Sequence, residues 1–293
     1  MIRLGKENAT YDFSPENPPA VHVDPGTTVL FETLDALDDQ IHSDEDSANK
    51  VDLGHVNAAT GPVFVRGAKP GDTLVAEILE INPWNWGAAL IIPGFGFLQN
   101  TIPGPYTKVF HYKPEGEIFF SEKLRIPLRP MIGTIGVAPR EAITTLSSGV
   151  HGGNLDTTDI RAGSKVFLPV MVEGALFGVG DVHAAMGDGE VCGTGIECGA
   201  EITIRLNLLT GFSIPRPRIE TENEIMTIAS AEGLETAIRI ALQDMVDWLH
   251  VEKKLSNEVA YVLCSIAGDV RIGQIVDPAV TVRVALPKGI FID

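Results

Sequence analysis

The sequence predicts a mainly β protein, a barrel- or sandwich-like body with a small α+β unit at its C-terminal end. Three observations predict it. Gly 30 and Pro 19, spread along most of the 293 residues, mark many turns. Between the turns lie short alternating segments rich in Val, Ile, Phe and Thr, the pattern of half-buried strands. Beyond residue 222 the apolar period becomes helical. The expected division is a β-rich catalytic body, 1–215, with the α+β unit, 216–293, packed on it.

The strands follow in order. "DPGTTVLFET" (24–33), "KPGDTLVAEI" (69–78) and "RAGSKVFLPV" (161–170) each read as a tight turn with Gly, a polar residue and then a strand. They suggest barrel or sandwich segments that restart alike. "KVFLPVMVEGALFGVGDVH" reads as a hairpin around Glu173-Gly174, and "EVCGTGIEC" and "AEITIRLNLL" would continue it as a meander. In "SAEGLETAIRIALQDMVDWLHVEKKL" the residues Leu234, Ala237, Ile238, Ala241, Met245, Trp248 and Leu249 keep helical spacing, with Ser230 as the expected N-cap. A second helix is expected over Ser256–Ala267, stopped by Gly268, and "AVTVRVAL" returns to strand.

Composition narrows the function. Lys plus Arg number 22 and Asp plus Glu 39, a net charge of −17 that repels phosphate backbones and anionic membranes. Nucleic acid is thereby disfavoured, and a neutral or cationic ligand is easier to accommodate. The longest apolar run, "AALIIPGFGFL", is too short and too broken to span a bilayer, and the first residues show no secretory pattern. Cys192, Cys198 and Cys264 cannot all pair within one chain, so a reduced, cytoplasmic protein is expected.

The chemistry concentrates in "GDVHAAMGDGEVCGTGIE" (180–197), where Asp181, His183, Asp188, Glu190, Cys192 and Glu197 lie among glycines. On a strand, Asp181 and His183 point to one face, where a carboxylate and an imidazole make natural zinc ligands. The following segment, read as a strand, puts Glu190, Cys192 and Thr194 on one face. Gly193 and Gly195 invite a bulge that re-aims Glu197. The bland alternative is a glycine-rich hairpin with solvated charges. The H-x-H of a cupin is not met by this D-x-H.

This run resembles the signature of the acetamidase/formamidase family. "FETLDA" (31–36), "NAATGPVFVRGAKPGDTL" (57–74), "IIPGFGFL" (91–98), "MIGTIGVAP" (131–139) and "HGGNLDTTDIRAGSKVFLPV" (151–170) resemble it too, in the family's order. The resemblance implies a mostly β fold, metal dependence and hydrolysis of small aliphatic amides such as formamide or acetamide to acid and ammonia. It also implies a homo-oligomer, a dimer or larger. Its family-like positions are Asp35, His151, Asn154, Asp156, Asp181, His183, Asp188, Glu190 and Glu197. Met186 departs from it, standing where relatives often carry Gln, which opens the way to a larger or less polar acyl group.

Such a reaction needs an activated nucleophile, a stabilised oxyanion and a proton for the amine; a zinc-type ion supplies the first two and a Glu moves the proton. With the resemblance, the expected metal ligands are Asp35, Asp181 and His183. Glu190 and Glu197 compete for the catalytic base. His151 and Asn154 are expected to orient the substrate or complete the coordination shell, and the surplus of carboxylates leaves room for a second ion such as calcium. Two rivals remain. One is a thiol amidase with Cys192 as nucleophile, although acidic neighbours oppose thiolate formation. The other is a non-catalytic β-sandwich that binds a metal or small ligand. For either reading, Trp84, Trp86, Phe95 and Phe97 could wall a pocket, with core or a subunit interface as their alternative roles.

Overall fold

The computed structural model describes residues 1–113 and 116–292. Short extended segments with apolar residues on alternate positions bury one face, and here the buried faces of two large sheets meet. The nine-stranded sheet runs, in spatial order, Ile2–Leu4, Thr27–Thr33, Ala200–Leu209, Thr73–Pro83, Lys165–Pro169, Arg218–Glu220, Glu224–Ala231, Val280–Pro287 and Asp269–Gln274. The ten-stranded sheet centres on Phe177–His183, which pairs antiparallel with Met131–Gly136, Ala59–Val65 and Glu197–Cys198. Phe31, Leu74, Ile78, Val166, Ile202 and Ile204 from the first sheet share one core with Val63, Ile132, Ile135, Phe177 and Val182 from the second. Phe31 and Phe177 meet edge to face across it, their ring centroids 5.7 Å apart. The body is mainly β, as the sequence predicts, with its principal core between two layers.

The three similar turn-and-strand segments all start strands of the same nine-stranded sheet: Thr27–Thr33, Thr73–Pro83 and Lys165–Pro169. Two expectations are corrected. Lys165–Pro169 and Phe177–His183 do not form a hairpin: the first pairs with Thr73–Pro83 and Arg218–Glu220, and the second belongs to the other sheet. The turn at Glu173-Gly174 is a crossing between layers. The segment after Glu190 is irregular, with strand geometry regained only at Glu197–Cys198, and Ala200–Leu209 then crosses to the nine-stranded sheet.

Helix α1, Leu234–Lys253, and helix α2, Asn257–Ala267, are the only α-helices among the described residues. Ala237, Ala241, Met245 and Leu249 are buried against Ala229, Val282, Val284 and Leu286 of two strands of the large sheet. Ser256 caps α2 by accepting from the Val259 amide, and Gly268 ends it. Ser230 is not the cap of α1. It lies in the strand Glu224–Ala231 opposite Thr281, and Gly233 stands at the N-cap. Neither helix is long and apolar enough to cross a membrane.

Candidate active site

The strand Phe177–His183 ends beside the returning Glu197–Cys198, with His183 opposite Glu197 in register. That pairing puts two functional groups from the same run side by side. His183 Nε2 lies 3.1 Å from Asp181 Oδ1, 3.0 Å from Glu197 Oε2, 3.9 Å from Glu190 Oε1 and 4.0 Å from Asp156 Oδ1. One imidazole thus faces four carboxylates, and all five side chains are buried. Two sets of three donor groups share His183: Asp156 with Glu190, and Asp181 with Glu197.

The backbone is shaped to allow this crowding. Asp156, Asp181 and Glu190 all have positive φ, 39°, 53° and 45°, a conformation non-glycine residues hold only when the surroundings impose it. Two glycines leave the necessary space. A Cβ at Gly133 would collide with both Asp181 Oδ2 and Asp156 Oδ1, and one at Gly195 would stand 2.7 Å from the His183 ring.

The carboxylates are held unequally. Glu197 Oε1 accepts from the Gly195 amide at 2.8 Å, and Asp181 Oδ2 accepts from Thr134 Oγ1 at 3.3 Å. Both oxygens of Asp156 are buried without a hydrogen-bond partner among the described residues. Burial, and then the neighbouring charges of Glu190 and Asp181, keep the Asp156 carboxyl well above the usual carboxylate range. Burial likewise raises Glu190 strongly and pushes Glu197 up to about 7. Burial alone would raise Asp181 and lower His183. Their mutual attraction, with Glu197 helping His183, reverses both, so Asp181 is lowered and His183 raised well above its ordinary value. Acid groups crowded to this degree, with a partnerless carboxylate among them, are the environment a cation would neutralise.

Above the cluster opens a cavity of about 650 Å³ lined by Asp156, Asp181, Glu190, Glu197 and Asn154, together with apolar loop residues. Asn154 is therefore placed at the site. Its amide donates to Asp277 Oδ2 at 3.0 Å, and its oxygen accepts from Thr134 Oγ1 at 2.8 Å and Asn57 Nδ2 at 3.0 Å. Asp277 sits in the turn between Asp269–Gln274 and Val280–Pro287, and that turn also holds the loop of Glu190. Gly189 donates to Gly273 O at 2.7 Å and accepts from the Ile275 amide at 3.1 Å. Asp188, at the same loop, pairs with the buried Arg283 at 2.9 Å.

Other expected site residues are not brought together. Asp35 joins neither set of donors. Its Oδ1 accepts from the Leu37 and Asp39 amides at 2.8 and 3.2 Å, fixing the turn after Thr27–Thr33, and burial raises its carboxyl to about 6. His151 does not line the cavity. Its ring packs edge-on against Phe13, its Nε2 has no partner among the described residues, and burial lowers it to about 4, so it is neutral at physiological pH. Met186 also stays outside the cavity, with its sulfur 3.2 Å from His183 Nδ1, behind the imidazole. Cys192 turns its thiol to Thr194 O at 3.5 Å and lines no part of the cavity.

Two residues that complete the site were missing from the expected site set. Asp156 could have been found in "HGGNLDTTD", where it stands among the family-like positions. Nothing local marks Asp277, whose role comes from a turn folded back over the cavity.

The chain as a whole is similar to known proteins. The sequence model of the Acetamidase/Formamidase family matches residues 5–148 and 140–293, and the chain belongs to that family. It is 29% identical to the acetamidase of Mycolicibacterium smegmatis in an alignment that covers 67% of this chain and 65% of that protein. With the formamidase of Methylophilus methylotrophus the identity is 28%, with 67% of this chain and 62% of that protein covered. The chain thus spans under two thirds of the length of these relatives. The solved acetamidase of Bacillus halodurans superposes with a TM-score of 0.96 at 43% identity, covering 99% of this chain and 98% of that one.

Proposed function

We propose that the chain is a metal-dependent amidohydrolase that cleaves linear C–N bonds of small amides to carboxylic acid and ammonia. The observation that carries this reading is the single imidazole facing four buried carboxylates at the floor of a cavity. The donor set fits a zinc-type ion: one nitrogen, several hard oxygens, and an Asp156 carboxyl to which no described residue donates a hydrogen bond. Asp156, Asp181 and His183 are the ligands we assign, with Glu197 able to complete the shell. Asp35 is not among them, because its carboxylate already fixes its own turn. Room for a second, harder ion such as calcium remains in the surplus of carboxylates.

When bound, the ion supplies Lewis-acid chemistry, activating a water and polarising the amide carbonyl. The protein's own residues do the rest. Glu190 faces the cavity, and no described residue donates a hydrogen bond to its carboxyl. It takes a proton from the water as the oxygen bonds to the carbonyl carbon. It then gives that proton to the departing nitrogen, which keeps the electron pair of the broken C–N bond. Glu197, tied to the Gly195 amide and beside His183, is less free to move protons. Asn154, held by Asp277 and Thr134, presents its amide at the cavity wall and orients the substrate.

Ammonia release from formamide or acetamide, abolished by a chelator and restored by zinc, is the test. Turnover that survives complete metal removal overturns the metal mechanism. Bound metal with no turnover on any amide favours the binding-module reading. We also propose a cytoplasmic homo-oligomer, supported by the exposed Val259, Val262 and Ile266 along α2. Sedimentation of the purified chain checks its assembly.

A further inference from the structure

The cavity is far larger than the reaction at its floor needs. Acetamide has about four non-hydrogen atoms. At the roughly 30 Å³ that one water occupies in the liquid, it takes on the order of 120 Å³. The cavity measures about 650 Å³, within the roughly 300–1,000 Å³ of sites that enclose drug-sized ligands.

The surplus space has a chemical character. The carboxylates gather around His183, and much of the remaining wall is apolar. Leu37, Leu53, Val56, Ile92, Phe95 and Leu146 reach it from three separate segments. Leu37 and Val56 are buried, whereas Leu53 and Leu146 stand at 60% and 41% exposure. None of the described lining residues is Lys or Arg. An acidic tail on the ligand would find no cation there and four carboxylates below, so the ligand carries no negative charge.

We propose, resting on the amidase reading, that this wall is an acyl site, and that the preferred substrates are primary amides of apolar acids of about five to eight carbons. The amide end has a defined place. Hydrolysis gives RCOO⁻ and NH₄⁺ from RCONH₂ and water, and the cationic product suits the carboxylate cluster. The nitrogen therefore points to the floor, and the acyl chain lies along Val56, Ile92 and Phe95. Each methylene that leaves water for an apolar wall contributes about 0.8 kcal/mol, close to fourfold in kcat/KM when the contact persists in the transition state.

The experiment measures kcat/KM by acid release from the zinc-loaded protein with acetamide, butanamide, hexanamide and N-butylacetamide. Hexanamide is expected to exceed acetamide by about tenfold or more, with butanamide between them. Leu53→Asp and Leu146→Asp, both at exposed positions where a carboxylate does not strain the fold, are expected to bring the hexanamide-to-acetamide ratio below about two. A flat or falling series on an active enzyme overturns the acyl site and leaves the amidase reading intact. N-butylacetamide outrunning hexanamide overturns it too, by placing the apolar wall on the amine side. Failure to hydrolyse any of these or formamide overturns the amidase reading itself.

Discussion

Two ionic clusters, each centred on a buried side chain, lie close together in this molecule, and they are built on opposite principles. Around Arg283, a cation 2% exposed, the acceptors are matched to the donors. Its guanidinium bonds Asp159, both oxygens of Asp188 at 2.9 Å and the Ile272 carbonyl at 2.8 Å. Around His183, one imidazole is set against four carboxylates, and Asp156 has no hydrogen-bond partner among the described residues. A buried ion pair whose hydrogen bonds are all made holds structure in place. One that is short of positive charge is an environment that a cation would neutralise. The same two ingredients therefore give a brace in one place and a set of under-satisfied acids in the other.

The comparison breaks most completely at His183. His183→Ala is expected to lose bound zinc and amide turnover together, read by elemental analysis and ammonia release; retained metal would show that the ligand assignment is wrong. Glu190→Gln sharpens the division inside the cluster. It should keep the metal and the fold while turnover drops roughly 10²–10⁴-fold. If Glu197→Gln shows that loss instead, the base is Glu197.

Arg283→Met probes the brace. Removing one side of a buried pair costs about 3–5 kcal/mol, because Asp159 keeps its charge without a partner. Chemical denaturation should show that loss. The Glu190 loop should then exchange amide hydrogens faster at Gly189.

A smaller effect is expected from pH. In the chelated protein Glu197 titrates at about 7 rather than its ordinary 4.5, so the native state keeps a proton that the unfolded chain releases. This stabilisation is complete below about 4.5 and is lost as pH rises through about 7. Melting of chelated protein should therefore be lower at pH 8 than at pH 6, and zinc should narrow the gap. Smallest is Cys192→Ala, where ammonia release should stay within about twofold of the parent, since the thiol lines no part of the cavity. Total loss with metal and fold intact would revive the thiol mechanism.

Local patterning made much of this legible. The three similar turn-and-strand segments become strands of one sheet, and Ser256 and Gly268 bound α2 as expected. What a residue pattern could not say is which sheet a strand joins. Alternation reports a buried face and not its partner, so Lys165–Pro169 and Phe177–His183 read as a hairpin although they lie in different layers. The site divides in the same way. Asp181, His183, Glu190 and Glu197 stand in one run and meet in space. Asp156 arrives from a neighbouring loop, marked only by its place among the family-like positions, and Asp277 from a distant turn that leaves no local mark. A carboxylate after a strand looks the same in sequence whether it binds an ion or is an ordinary turn carboxylate, and it is the Leu37 and Asp39 amides that show Asp35 bonded within its own turn.

The turn that carries Asp277 gives the molecule a sense of timing. Gly273 and Ile275 grip Gly189, next to Glu190, and Asp277 fixes Asn154 from the far side of the cavity. These contacts come from a segment made long after residues 181–197. While a nascent chain still lacks residues 269–287, it can already carry every acidic group around His183, yet the loop that aims Glu190 has nothing to rest on. Closure of the proposed site therefore comes late in synthesis, as the Gln274–Ala279 turn folds over residues made earlier.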